Sequence, residues 1–256
     1  MRGSCMVVDI EGDVTAPVQH HLDDLTSRAT LVFFALTIVS ILWLTQIDEL
    51  LHRVLSILNP CDDDCLNLYD PAEWSAVRWL ASVLLGLLTV MPLIVQQTWS
   101  FSKPGLYPHE RTWLLSWLLI GCTVTLGIAA FTVGYFFPLA FEQGHLHQSS
   151  MGLSSQYDAV LMLKMAVAVV WTQVVVAIAI FAMILAGKLG LLNQSNADWW
   201  RFRIYGTVVL LLLASMPEYS SIALLASIVC ITVIESVARR WLSASISEPL
   251  SLPENC

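Results

Sequence analysis

From Ala29 to Ile47 the chain runs 19 residues without a charged side chain, and stretches of this kind recur along almost its whole length. Hydrocarbon offers no water to satisfy a backbone, so a run of roughly 20 apolar residues reads as one helix crossing a bilayer. The second such stretch covers about Val77 to Trp99 with Pro92 inside it, and the third covers Trp113 to Phe141. The fourth runs from about Ala159 to Ala186, the fifth from Ile204 to Met216, and the sixth from Tyr219 to Ala238. The third exceeds the need of a bilayer at ~1.5 Å per residue, so it must tilt, protrude, or bend near Pro138 or at Gly121, Gly127 and Gly134. The fifth has 13 residues, or ~20 Å against a ~30 Å core. Only Pro217 and Glu218 separate it from the sixth, which predicts a tight antiparallel hairpin.

Composition agrees with this reading. Of 256 residues, 57% are apolar and only 12% are charged. A soluble chain of this length carries about twice that charge. The net charge of −8 supplies no basic footprint for a nucleic acid. The predicted fold class is all-α, a polytopic membrane protein of six helices whose last two are short. Three regions follow: 1–27 as an N-terminal segment, 28–241 as the membrane domain, and 242–256 as a tail. The first 27 residues lack the basic and apolar regions of a secretory signal.

Six spans put both termini on one side. Arg2, Arg28, Lys103, Arg111, Lys188, Arg201, Arg203, Arg239 and Arg240 fall on that side, while Arg53, Arg78 and Lys164 fall on or near the other. The positive-inside rule then predicts cytoplasmic termini. Tryptophans near the span ends, such as Trp74, Trp99, Trp113 and Trp199, suit an aromatic belt.

No nucleophile elbow, HExxH or Walker loop is present, which argues against enzymatic chemistry. His20-His21 and His145-x-His147 read as solvated loop residues rather than metal ligands, since no further Cys or His stands at zinc spacing. Neither a cofactor nor a metal is predicted. Intramembrane polar groups are costly and each is a candidate site. Gln96 and Gln97 lie near the inner end of their span, within reach of water. Lys164 can snorkel outward, Glu218 stands at a hairpin tip, and Glu235 faces Arg239 at i+4. Gln173 stands near mid-span, where it needs a partner, a water-filled cavity or another protein. Cys61 and Cys65 flank Asp62-Asp63-Asp64 in the first external loop. A disulfide is the favoured reading there, because thiols outside the cytoplasm oxidise and a turn brings the two Cα atoms within reach. Free thiols and a cation site are the rivals.

The segment Phe101-Ser-Lys-Pro-Gly-Leu-Tyr-Pro-His-Glu-Arg111 is the most informative. Two prolines and a glycine predict a fixed, non-helical loop. Glu110 then stands at the foot of the next helix, where the dipole favours a carboxylate, or where it can accept a cationic peptide. This loop resembles the F-x-x-P-G-L-x-x-x-E-R loop of TatC, the receptor subunit of the twin-arginine protein translocase. His21-Leu-Asp-Asp-Leu-Thr-Ser-Arg28 resembles the family's H-L-x-E-L-R-x-R segment. Phe131–Phe141 resembles the end of its third helix. Ser215-Met-Pro-Glu218, followed by Glu235, resembles its T-P-P-D hairpin and late acidic residue.

The resemblance implies a non-catalytic receptor for the signal peptides of folded cargo, driven by the proton-motive force. It would reside in a prokaryotic inner membrane, bind TatA-type and TatB-type single-span partners, and self-associate among membrane lipids. Paired arginines want carboxylates in fork geometry. By resemblance the acids are Glu110 and Asp24, balanced by Arg28 and Arg111, with Phe101, Pro104, Gly105 and Leu106 shaping the loop. Three departures stand out: Thr26 replaces a frequent Arg, Asp24 replaces Glu, and Gln173 falls where many members carry Glu. A small-solute or ion transporter is the alternative, but it predicts mid-span charges and matching broken helices that are absent from the sequence.

Overall fold

The computed structural model describes residues 18–61, 65–69, 71–106, 108–152, 156–188, 197–215 and 220–246. The N-terminal segment before Val18, the tail after Ile246, and Glu218 lie outside the described residues. Helices dominate: α1 (Val18–Leu58), α2 (Pro71–Ser102), α3 (Pro108–Phe131), α4 (Phe137–Ser150), α5 (Ala159–Lys188), α6 (Ala197–Ser215) and α7 (Ser220–Ile246). Two short strands, β1 (Leu66–Asn67) and β2 (Tyr157–Asp158), pair in parallel. Among the described residues, four stretches are long and apolar enough to cross a membrane: 22–58, 72–105, 110–150 and 159–187. The chain divides into two compact units, 1–167 and 168–256.

The first unit holds α1 to α4 and the start of α5. Helix α1 has 41 residues and outruns the apolar stretch at both ends. Past Ile47 it continues because Leu51, Leu55 and Leu58 bury one face while Arg53 and Glu49 pair at i+4 on the exposed one. Its packing on α2 is close. A Cβ added to Gly86 would stand 2.3 Å from Ser40 Oγ and 3.2 Å from Ser40 Cα, so the backbones meet where both residues are small. Trp43 Nε1 donates to Thr89 Oγ1 at 3.0 Å, and Arg78 donates to Asp48 at 2.8 Å near one end of the pair.

The third apolar stretch forms α3 and α4, joined by a π-turn at Thr132–Phe136. Pro138 has no N–H to give and its ring crowds the carbonyl of Gly134 four residues earlier. The wider turn relieves that crowding, with Phe137 N–H donating to Thr132 O. Of the places to bend that the sequence offers, Gly134 and Pro138 are the ones that fall at this π-turn.

Beyond the far end of α1, Cys61 and Cys65 are joined by a disulfide with Cα atoms 6.2 Å apart. Tyr157 N–H donates to Cys65 O at 3.0 Å, and β1 follows directly. Asn67 Nδ2 and Tyr69 Oη both donate to Gln156 Oε1 at 3.1 Å. His145 Nδ1 lies 3.8 Å from Cys61 Sγ. These contacts bind the α1–α2 connection to the α4–α5 connection. Lys164 pairs with Glu73 in the first turn of α2 at 2.7 Å.

In the second unit the remainder of α5 packs with α6 and α7 around Val175, Ala179, Met183, Val208, Leu212, Ile234 and Ala238. Helix α6 spans 19 residues and α7 spans 27. Both extend beyond their apolar stretches, because Asp198, Arg201 and Arg203 form the polar opening of α6 and Arg239 and Arg240 continue α7.

Candidate functional site

The loop after α2 is built from its own side chains. Lys103–Gly105 forms a single 3₁₀ turn between α2 and α3, so the predicted non-helical shape is corrected to a tighter helical one. Pro104 falls in the first positions of that turn, where its fixed φ fits and its missing N–H costs nothing. Leu106 then leaves in an extended conformation and is buried, anchoring the loop. Arg111 Nε donates to Leu106 O at 2.9 Å and closes the loop back onto α3. Pro104 and Gly105 are exposed, Phe101 is half-buried, and Glu110 is half-buried in the first turn of α3.

On α1, Asp24 accepts from Arg28 Nε through both oxygens, at 3.0 and 2.9 Å. Arg28 Nη1 also donates to Gln97 Oε1 on α2 at 3.2 Å. Sequence reasoning left Gln96 and Gln97 together as water-facing amides. In the structure Gln96 is exposed and Gln97 is half-buried against Arg28. The signal that separates them is register: Gln97 shares a helix face with Phe101 four residues on.

Two other predicted residues lie elsewhere. Gln173 sits half-buried in α5. Glu235 on α7 is a hub: Tyr205 Oη donates to it, Arg239 Nε donates at 2.6 Å, and Arg201 Nη2 lies 3.7 Å away. Sequence reasoning gave Arg239 but missed Arg201 and Tyr205. Their i, i+4 spacing on α6 puts them on one face, yet only packing shows which helix that face meets. Arg201 also lies 3.8 Å from Asp198, and Arg203 stacks over Trp199 at 3.2 Å. Among the described residues no group of three or more His, Cys, Asp and Glu could hold a metal ion.

The match to a known family covers most of the chain. Residues 20–227 match the family described as Sec-independent protein translocase protein (TatC). The chain belongs to the TatC family. A TatC of Methanocella arvoryzae is 27% identical over 248 residues, covering 90% of this chain and 96% of the relative. That of Deinococcus radiodurans is 28% identical over 233 residues, covering 83% and 81%. A TatC of Magnetococcus marinus is 31% identical over 141 residues, a match that spans about half of each protein (53% of this chain and 51% of the relative). The crystal structure of the twin-arginine translocase receptor TatC superposes with a TM-score of 0.66 at 18% identity, over 88% of this chain and 99% of that one. At that identity the likeness shows a shared fold. The chain is therefore a multi-pass membrane protein of the Sec-independent translocase family, and the solute-transporter alternative falls.

Proposed function

We propose that this TatC-family chain is the receptor that captures the paired-arginine signal peptides of folded cargo and forms the core of the translocase, with no catalytic step of its own. The observation that carries the reading is the fixed loop at Phe101–Arg111. Its own arginine is spent on a backbone carbonyl, and its Glu110 stands at the opening of a helix. A guanidinium entering there would meet a carboxylate at a helix N-terminus, next to an anchored turn, which favours a charge-assisted pair. Asp24 is the second acid, held on α1 by Arg28.

Membership in this family implies partner Tat subunits. Single-span TatA-type and TatB-type chains are the proposed partners, alongside further copies of this chain and the surrounding lipid. Gln173, Glu218 and Glu235 are the proposed polar contacts for their helices. The membrane is the cytoplasmic membrane of a prokaryote, with both termini in the cytoplasm, which agrees with the basic loop facing newly made cargo. Residues 28–241 are proposed as the working membrane domain, 1–27 as a cytoplasmic segment whose residues from Val18 on already belong to α1, and 242–256 as a cytoplasmic tail that takes in the end of α7.

The test is photo-crosslinking. A photoreactive residue placed at positions along Phe101–Arg111 should capture a signal peptide with paired arginines and not one with paired lysines. Equal capture of both peptides, or of neither, rejects the receptor assignment.

A further inference from the structure

A side-chain hydrogen bond ties the α1 segment of the receptor site to the helix that carries its loop: Arg28 Nη1 donates to Gln97 Oε1, between residues 69 positions apart. We infer that Gln97 is a positioning residue for signal-peptide recognition, holding the Arg28–Asp24 pair of α1 in register with the loop that follows α2. The inference rests on the receptor reading above and adds a residue which that reading does not assign.

The chemistry follows from the donor inventory. Arg28 has five N–H groups on a rigid plane. Its Nε–H is shared by both oxygens of Asp24, and its Nη1 reaches Gln97. An i, i+4 pair on one helix, partly open to solvent, holds its geometry weakly, because a long side chain keeps much of its rotamer freedom. The side chains of Arg28 and Asp24 are 27% and 40% exposed. A second bond from the same guanidinium to another helix removes that freedom. With the plane fixed, the Asp24 carboxylate is fixed in turn. A carboxylate offers about four lone-pair sites and Arg28 Nε engages part of them, which leaves acceptor capacity for an incoming guanidinium.

Gln97 suits this task for two reasons. It is half-buried, so its amide does not trade Arg28 freely for water. It also shares a helix face with Phe101, one turn before the Lys103–Gly105 turn, so any shift of the loop is felt at Arg28. Thr26 follows the same logic. Its hydroxyl bonds back to Leu22 O on its own helix at 2.7 Å, whereas Arg28 reaches across to α2.

The experiment is a double-mutant cycle on the full-length protein in detergent or nanodiscs. Binding of a synthetic peptide with paired arginines is titrated against its paired-lysine counterpart. Gln97→Leu should weaken paired-arginine binding about tenfold, and Gln97→Glu, which keeps the acceptor oxygen, should restore it to within about threefold. In an Asp24→Asn background Gln97→Leu should add almost nothing, whereas in a Glu110→Gln background it should cost its full factor. A general packing defect would instead lower affinity equally in both backgrounds. Unchanged affinity in Gln97→Leu, or a full further loss on top of Asp24→Asn, overturns the inference. A peptide-free readout separates it from the reading beneath it. The Arg28 Nε–H resonance, assigned by its loss in Arg28→Lys, should exchange with water faster in Gln97→Leu. An unchanged resonance overturns the positioning role, and absence of peptide binding by the unaltered protein overturns the receptor reading.

Discussion

Glu110 and Gln173 have similar exposure but different surroundings, and their substitution should read out differently. Glu110 opens α3 beside a loop held by Arg111 and the buried Leu106. Replacing it with Gln keeps the shape and removes the charge. Paired-arginine binding measured by calorimetry should weaken by on the order of 2–3 kcal/mol while the protein remains inserted. Gln173 lies within α5, whose 30 residues include only two charged side chains, Lys164 and Lys188. Polar contacts between helices in lipid average about 0.6 kcal/mol with a maximum near ~1.7. Gln173→Leu should therefore reduce co-purification of a single-span partner modestly and leave folding intact. Full partner recovery together with normal export would make the residue purely structural.

At the scale of elements, two junctions decide how the first unit holds together. Where α1 crosses α2, Gly86 is buried and its missing side chain is what lets Ser40 approach. Ala at this position forces Ser40 Oγ aside and still presses on its Cα. Gly86→Leu has no such escape and should lower thermal stability by about 1–3 kcal/mol, the usual cost of overpacking; Ser40→Gly should recover part of the loss. At the opposite junction, the Cys61–Cys65 bridge precedes β1, and Tyr157 N–H bonds to Cys65 O. The loop it closes is small, so its entropic contribution lies below the ~3 kcal/mol of a 15-residue loop. In a Cys61→Ser/Cys65→Ser variant the Tyr157 amide should exchange faster by hydrogen–deuterium mass spectrometry, with little change in melting temperature. Alkylation without reduction checks the bridge itself: two modified thiols in the unaltered protein would exclude it.

For the molecule as a whole, the unusual proportion is α6. Its 19 residues make ~28 Å of helix, but the first turns carry Asp198, Arg201 and Arg203. The apolar part from Ile204 onward is close to ~18 Å, well short of a ~30 Å hydrocarbon core. A short span draws the bilayer thinner or recruits partners around it. Under the proposed function, local thinning would shorten the path for cargo near this helix. Four leucines inserted before Met216 should leave insertion intact and impair export of a reporter carrying a paired-arginine signal. Undiminished export would show the short length to be incidental.

Membrane residence, the placing of the apolar stretches and the break between α2 and α3 within Phe101–Arg111 were legible in the sequence, whereas the 3₁₀ form of that break was not. These follow from local chemistry: hydrocarbon demands apolar runs, and Pro and Gly fix a loop wherever it sits. The helix ends were less legible. Helices α1 and α7 run past their apolar stretches, since a helix outside hydrocarbon persists on buried leucines and i, i+4 pairs that hydropathy does not register. What only the tertiary structure decided is which polar groups meet. Gln96 and Gln97 are neighbours of the same chemistry, and the packing of α1 on α2 gives one of them to Arg28 and the other to solvent. Arg201 counts in the sequence only among the cations on the terminus side and Tyr205 carries no signal there; the pairing of α6 with α7 brings both to Glu235. A sequence states which side chains must find partners. The partner itself depends on contacts between residues far apart in the chain, and those exist only once the helices have packed.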